Sequence, residues 1–189
     1  ALWGHLREAS RVAERLMALV RPNAAGYRMF PERFAFGEAG SGEELDGTAA
    51  VGIGLFLLWR RLPEHDPLRA AIARFLLGPD SPIAGLQAML ESRPLLAGSG
   101  EFGGGCYIEG LHCNSVQNQY AALALDAAAR LAGAAGDPDR SVRLDGQARR
   151  LRQAIRTYLV EPDGTWRWTV EPGSLEPDPA VNGAPINAG

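Results

Sequence analysis

Residues 48–59, TAAVGIGLFLLW, form an almost entirely apolar stretch, which leaves few possible folds for this chain. It is too short to cross a bilayer as a helix, because that takes about 20 residues. A helix that is apolar on every side is instead buried in a protein core. We therefore expect a helix over residues 48–61 that is buried on all sides and ends before Pro63.

Other helices are predicted from apolar residues spaced three and four apart. These faces favour helices over the first 20 residues, over 67–77 and over 82–91. The apolar positions of the first helix are Leu2, Leu6, Ala9, Ala13, Leu16 and Val20.

The second half of the chain predicts two longer helices. Asn114 or Ser115 can cap a helix that reaches about residue 134, and Pro138 suits the first turn of the next one. The apolar face of that last helix consists of Leu144, Ala148, Leu151, Ile155 and Leu159. A turn at residues 161–164 and a short strand within 165–170 follow.

Apolar helices thus alternate with amphipathic ones, as a two-layered ring of helical hairpins requires. A solenoid of helical repeats also alternates, but its repeats keep a fixed period near 34 residues. Here the loops vary from a few residues to more than twenty. The pattern therefore predicts an all-α ring with functional loops at one mouth.

The composition limits the classes of function that the chain can have. Apolar residues make up 46% of the chain and charged residues 22%, which is typical of a globular protein. The net charge of −3 gives no support to binding of nucleic acid or of an anionic membrane surface. Two cysteines do not form a disulfide framework.

Most of the chemically useful residues stand in one glycine-rich loop, GSGEFGGGCYIEGLHC at residues 98–113. It contains Glu101, Glu109, His112 and both cysteines. Glycine permits tight and left-handed turns, and loops held by a rigid scaffold often carry functional sites. Cys106, His112 and Cys113 do not suit a metal site, because adjacent His and Cys side chains rarely turn to one ion and no fourth ligand is evident.

Three stretches together resemble the glucoamylase-like (family 15) glycoside hydrolases of the six-hairpin superfamily. They are ELDGTAAVGIGLFLLWRRLPEHD at 44–66, GEFGGGCYIEGLHCNSVQNQYAALALDAAARLAGAAGD at 100–137, and QARRLRQAIRTYLVEPDGTWRW at 147–168. The resemblance covers about three quarters of the chain. It implies an (α/α)6 toroid, with residues 1–189 forming an incomplete catalytic domain of about half the ring.

The resemblance also implies the chemistry. Glu109, beside Gly110 and ahead of a polar helix start, is the nearest match to the catalytic acid, and Glu101 is the second candidate. A glycosidase of this kind pairs a protonated carboxyl with a second carboxylate, which is expected beyond residue 189. The implied enzyme is inverting, needs no cofactor or metal, and acts on an oligo- or polysaccharide, with no nucleic acid or membrane partner.

Four further residues are candidates for substrate binding. Asp46 is as well suited to cap a helix as to bind a sugar hydroxyl. His112 and Tyr107 lie in the glycine-rich loop, and Arg28 lies among the aromatic residues Tyr27, Phe30, Phe34 and Phe36 of an earlier loop. Trp166 and Trp168 are placed either to stack on a sugar or to close the end of the hairpin.

Two other functions stay open. A polysaccharide lyase or sugar epimerase on the same ring would use a Tyr, His or Arg as its base, and Tyr107 and His112 fit that role. A non-enzymatic helical-repeat protein that binds another protein is the third possibility, and it predicts regular repeat lengths.

Overall fold

The computed structural model describes residues 5–30, 34–35, 38–39, 45–98, 101–103, 106–108 and 112–175; the strand residues before 109 are described by their backbone alone. More than half of the described residues are helical, so the all-α class is confirmed. The helices are α1 (Leu6–Leu19), α2 (Leu45–Trp59), α3 (Pro67–Leu77), α4 (Pro82–Met89), α5 (Ser115–Ala134) and α6 (Pro138–Leu159).

Capping explains why several predicted boundaries are confirmed. Asp66 accepts a hydrogen bond from the Leu68 N–H and begins α3, with proline at its first turn. Asn114 begins α5 in the same way, and the Asp137 side chain begins α6. α2 begins three residues before the predicted position, so Asp46 lies in its first turn, where a negative charge favours the helix dipole.

The two helices with the most buried residues, α2 and α5, pack against each other at the centre of the described residues. Both start at the same end. The space beside Gly98 is bounded by Leu45 at the start of α2 and by Gln117 at the start of α5. The two helices therefore run in the same direction, as a two-layered ring of helical hairpins would require of its inner helices.

Amphipathic helices surround this pair. α3 returns antiparallel to α2, so that Gly52 faces the Leu76 side chain, and α4 approaches the same position through Ile83. α1 packs on α2 and α3. α6 runs antiparallel along α5, with Gly133 near Ser141 at one end and Asp126 bonded to Arg152 further along.

The predicted apolar face of α6 is confirmed, because all five of its residues are buried. The face of α1 is confirmed at Ala13 and Val20, which are buried, and at Leu6, Ala9 and Leu16, which pack partly buried on the core. Strands are minor: β1 (Phe34–Ala35) pairs with β2 (Glu38–Ala39), β3 (Glu101–Gly103) with β4 (Cys106–Ile108), and β5 (Cys113–Asn114) with β6 (Thr169–Val170).

The expectation that α2 is buried on all sides is wrong for one stripe. Ala50, Gly54 and Leu57 are exposed, and Leu57 retains 43% of its accessible surface. The three positions follow helical spacing, so they form one face that none of the other described helices covers. Within the described part of the chain, no helix has both the length and the apolar character needed to span a membrane.

Candidate active site at the glycine-rich loop

The loop between α4 and α5 contains a short β-hairpin. Glu101 pairs with Ile108 and Phe102 with Tyr107 across β3 and β4, which places Glu101 and Tyr107 on neighbouring strands of one hairpin. Only the backbone of these residues is described. Glu109 lies outside the described residues.

Asn118, a fully buried residue in the first turns of α5, holds the start of this loop. Its Oδ1 accepts a hydrogen bond of 2.7 Å from the Leu96 N–H, and its Nδ2 donates to the Leu96 carbonyl at 3.0 Å. The same Nδ2 also donates to the Asn114 carbonyl at 2.8 Å. One side chain thus satisfies both backbone polar groups of the buried residue Leu96.

Gln117, the neighbouring buried amide, joins the two ends of the loop. Its Nε2 donates to the Leu96 carbonyl at 3.2 Å and to the His112 carbonyl at 3.0 Å. Its Oε1 is buried and accepts no hydrogen bond from the described residues. The backbones of Gly98 and His112 also pair directly, through hydrogen bonds of 3.0 and 2.8 Å. We call Asn114, Gln117 and Asn118 the amide clamp.

Asn114 completes the amide clamp at the end of the loop. Its Oδ1 accepts from the N–H groups of Val116 and Gln117, at 2.7 and 3.3 Å, and so caps α5. Strand β5, which contains Asn114, pairs with β6, and the Ser115 N–H donates to the Trp168 carbonyl at 2.9 Å. The segment after α6 therefore supports the end of the glycine-rich loop.

The start of α2 reaches the same place. A Cβ atom built on Gly98 would lie 3.1 Å from Leu45 Cδ1 and 2.7 Å from Gln117 Oε1. Asp46 follows Leu45, and its Oδ1 accepts from the Gly47 N–H at 2.7 Å. The prediction that the loops meet at one end of the helices is confirmed at one point, where Leu45, of residues 22–47, lies beside Gly98, of residues 94–113.

His112 has a structural contact. Its side chain retains only 16% of its accessible surface, and its Nδ1 lies 3.4 Å from Glu171 Oε1. Glu171 directly follows β6, so this contact reinforces the pairing of β5 with β6. The predicted role of His112 in substrate binding stays a prediction.

Arg28 also makes structural contacts. Its Nε donates to Asp80 Oδ2 at 2.8 Å, its N–H donates to the Asp80 carbonyl at 2.8 Å, and its guanidinium lies 5.9 Å from the Phe75 ring centroid. Next to it, Phe30 is buried against Phe75, and its N–H donates to Thr48 Oγ1 at 2.9 Å. These contacts attach residues 28–30 to α2 and to the segment around α3. The side chain of Phe34 is not described, and Phe36 lies outside the described residues.

Cys113 is a buried thiol, as is common for a free cysteine, which packs like a small apolar residue. Burial raises its pKa from 9.0 to about 11, so the thiol stays protonated near neutral pH. Among the described residues, no group of three or more His, Cys, Asp or Glu side chains could hold a metal ion.

Sequence reasoning did not identify Gln117 and Asn118 as the residues that hold the loop. The available signal was the polar run NSVQNQ, which opens a helix that is otherwise rich in alanine and leucine. Amides placed where a core is expected predict hydrogen bonds to buried backbone, since an unpaired buried polar group is costly.

The arrangement is a hairpin loop whose two ends are bonded to the start of a buried helix. Such a base restricts the backbone at both ends of the loop, and loops held in this way often carry functional sites. Comparisons of the chain with protein-family profiles, with characterised proteins and with solved structures give no match.

Proposed function

We propose that this chain is part of a glycoside hydrolase that cleaves an oligo- or polysaccharide by paired carboxylate catalysis. In this proposal the fold is an (α/α)6 toroid, to which residues 1–189 contribute about half of the ring. α2 and α5 are inner helices of that ring, and α3 and α6 are outer ones.

The packing supports the ring. Inner helices of a toroid run in the same direction and show one face to the interior of the ring, while each outer helix returns antiparallel. α2 and α5 start at the same end, and α6 runs antiparallel to α5. The exposed stripe of Ala50, Gly54 and Leu57 on α2 supports the proposal, because an inner helix needs such an uncovered face.

The observation that carries the functional proposal is the junction of Leu45, Gly98 and Gln117. It brings the start of α2 and the start of α5 together at one end, and it lies at the base of the loop that contains Glu101 and Glu109. A single substrate could contact both loops there. Without that junction, the residues of the two loops would not form one site.

In the proposed reaction, Glu109 gives a proton to the leaving oxygen of the glycosidic bond, and Glu101 is the alternative donor. A second carboxylate, beyond residue 189, activates water on the opposite side of the sugar ring. The two carboxyls of an inverting enzyme stand about 6.5–9.5 Å apart, which leaves room for that water. The amide clamp has a positioning role, because it fixes the loop from which the proton is delivered.

The test uses the full-length protein and a panel of α- and β-linked oligosaccharides. We expect release of reducing ends from at least one substrate, and NMR of the first product formed should show an inverted anomeric configuration. Products with an unsaturated terminal sugar would indicate a lyase and refute hydrolysis. No turnover of any substrate in the panel would also count against the proposal.

A further inference from the structure

A pocket of about 480 Å³ opens between α5 and α6, beside the turn at residues 161–164. This volume is within the range of about 300–1,000 Å³ that small-molecule sites occupy. Its walls include Gln119 and Leu123 of α5, Arg152 and Arg156 of α6, and Trp166. The pocket lies at the end of α5 that carries the glycine-rich loop, because Gln119 is close to the first turn of that helix.

The aromatic side of the pocket is fixed in place. The backbone of Trp166 is bridged to that of Val160, and the Arg167 N–H donates to the Leu159 carbonyl at 2.9 Å. The Trp166 side chain nevertheless retains 55% of its accessible surface, and Leu123 retains 52%. A rigid backbone thus presents an indole to solvent, and a ligand that stacks on the ring would bury apolar surface there.

The charge of the pocket is positive. Arg152 and Arg156 are four residues apart on α6, so their side chains are neighbours on one face. Asp126 bonds to Arg152 and offsets one of the two charges. Among the described residues Arg156 has no ion-pair partner, and the nearby carboxylate of Glu161 is bonded to Arg167. One guanidinium is therefore left to bind an anion.

We propose that this pocket binds a sugar residue that carries a carboxylate, a uronic acid residue of the substrate. The sugar ring stacks on Trp166, the carboxylate accepts two hydrogen bonds from the Arg156 guanidinium, and the Gln119 amide bonds a hydroxyl. A planar guanidinium suits such a bidentate contact with a carboxylate. The choice of a sugar rests on the proposed glycosidase function, whereas the preference for an anion rests on the arginines.

The test is calorimetric titration of the protein with two probes, trigalacturonate and maltotriose. We expect binding of trigalacturonate to be at least about 10-fold tighter, and added salt should weaken it, because exposed charges are screened. Arg156→Gln should weaken trigalacturonate binding by about 10-fold or more and leave maltotriose unchanged. Trp166→Ala should weaken the binding of trigalacturonate by about 5-fold.

Matched controls are available on the same elements. Arg150→Gln removes a charge from α6 outside the pocket, and Trp168→Ala removes an aromatic ring two residues from Trp166; neither should change the affinity for trigalacturonate. Equal affinity for the two probes, or full affinity in Arg156→Gln, would overturn the inference. So would self-association that Trp166→Ala abolishes without any sugar binding, since the surface would then be a protein interface.

Hydrolysis of both probes is measured separately, so that the two proposals fail independently. Arg156-dependent binding of trigalacturonate without any hydrolysis would refute the glycosidase and leave the anion site standing. Hydrolysis of neutral saccharides with no binding of trigalacturonate would support the glycosidase and refute the anion site.

Discussion

Replacement of Asn118 by alanine should destabilise the protein, because this side chain holds the buried Leu96 peptide on α5. The variant loses hydrogen bonds of 2.7, 3.0 and 2.8 Å. The Leu96 carbonyl keeps its bond from Gln117. The Leu96 N–H loses its partner while buried, which costs about 1–3 kcal/mol, and each lost amide donor bond costs about 0.5–1 kcal/mol.

We therefore expect Asn118→Ala to lower the free energy of unfolding by about 3 kcal/mol, within a range of about 2–5. A domain with a stability of about 5–15 kcal/mol stays folded after such a loss. The assay is urea unfolding followed by circular dichroism, with hydrogen exchange at the Leu96 and Gly98 amides as the local measurement. Both amides should exchange faster in the variant.

The control is Gln119→Ala, the next residue of α5, whose side chain is exposed. A substitution on an exposed helix surface usually changes stability by less than about 0.5 kcal/mol. If Asn118→Ala changed the free energy of unfolding by no more than this control, the amide clamp would not hold the loop, and the reasoning would be wrong.

Two further predictions concern Gly98 and Cys113. Gly98→Ala should destabilise the protein by about 1–3 kcal/mol in urea unfolding, because its Cβ would lie 2.7 Å from the buried Gln117 Oε1. Gly146→Ala in α6 should instead stabilise the protein by about 0.5–1 kcal/mol, because its Cβ would meet no atom closer than 3.7 Å. Equal changes in stability in the two variants would contradict the close packing around Gly98. The Cys113 pKa, raised to about 11, predicts that stability is constant below about pH 9 and falls as the pH rises from about 9 to 11, because the unfolded thiol loses its proton first. Between about pH 8 and pH 11, the free energy of unfolding of the wild type should fall by about 1–3 kcal/mol more than that of Cys113→Ala. Identical losses in the two proteins would refute this prediction.

Much of the helical layout could be predicted from the sequence, because spacing and caps are local signals. Asp66, Asn114 and Asp137 stand directly before their helices, and the apolar face of α6 repeats over the whole helix. The start of α2 was misjudged by three residues, since Asp46 suits a cap and a first turn equally well.

Tertiary contacts were harder to predict. The candidates predicted from the sequence were the ionisable residues of the loop. The side chains that hold the two ends of the loop are instead the neutral amides of Gln117 and Asn118. Their partners lie some twenty residues earlier, at Leu96, and such pairing leaves no local periodicity. Arg28 and His112 were predicted to bind sugar, yet their described contacts are with Asp80 and Glu171, acidic residues far along the chain.

The proposed glycosidase depends on a proton donor in the glycine-rich loop. The most direct measurement is the turnover of Glu109→Gln and Glu101→Gln in the full-length protein, on the oligosaccharide that wild type cleaves best. We predict that Glu109→Gln lowers turnover by about 100-fold or more, as the loss of a general acid should, with little change in substrate affinity. Wild-type turnover in Glu109→Gln with a collapse in Glu101→Gln would transfer the role to Glu101. Wild-type turnover in both variants would contradict the proposal that the loop carries the proton donor.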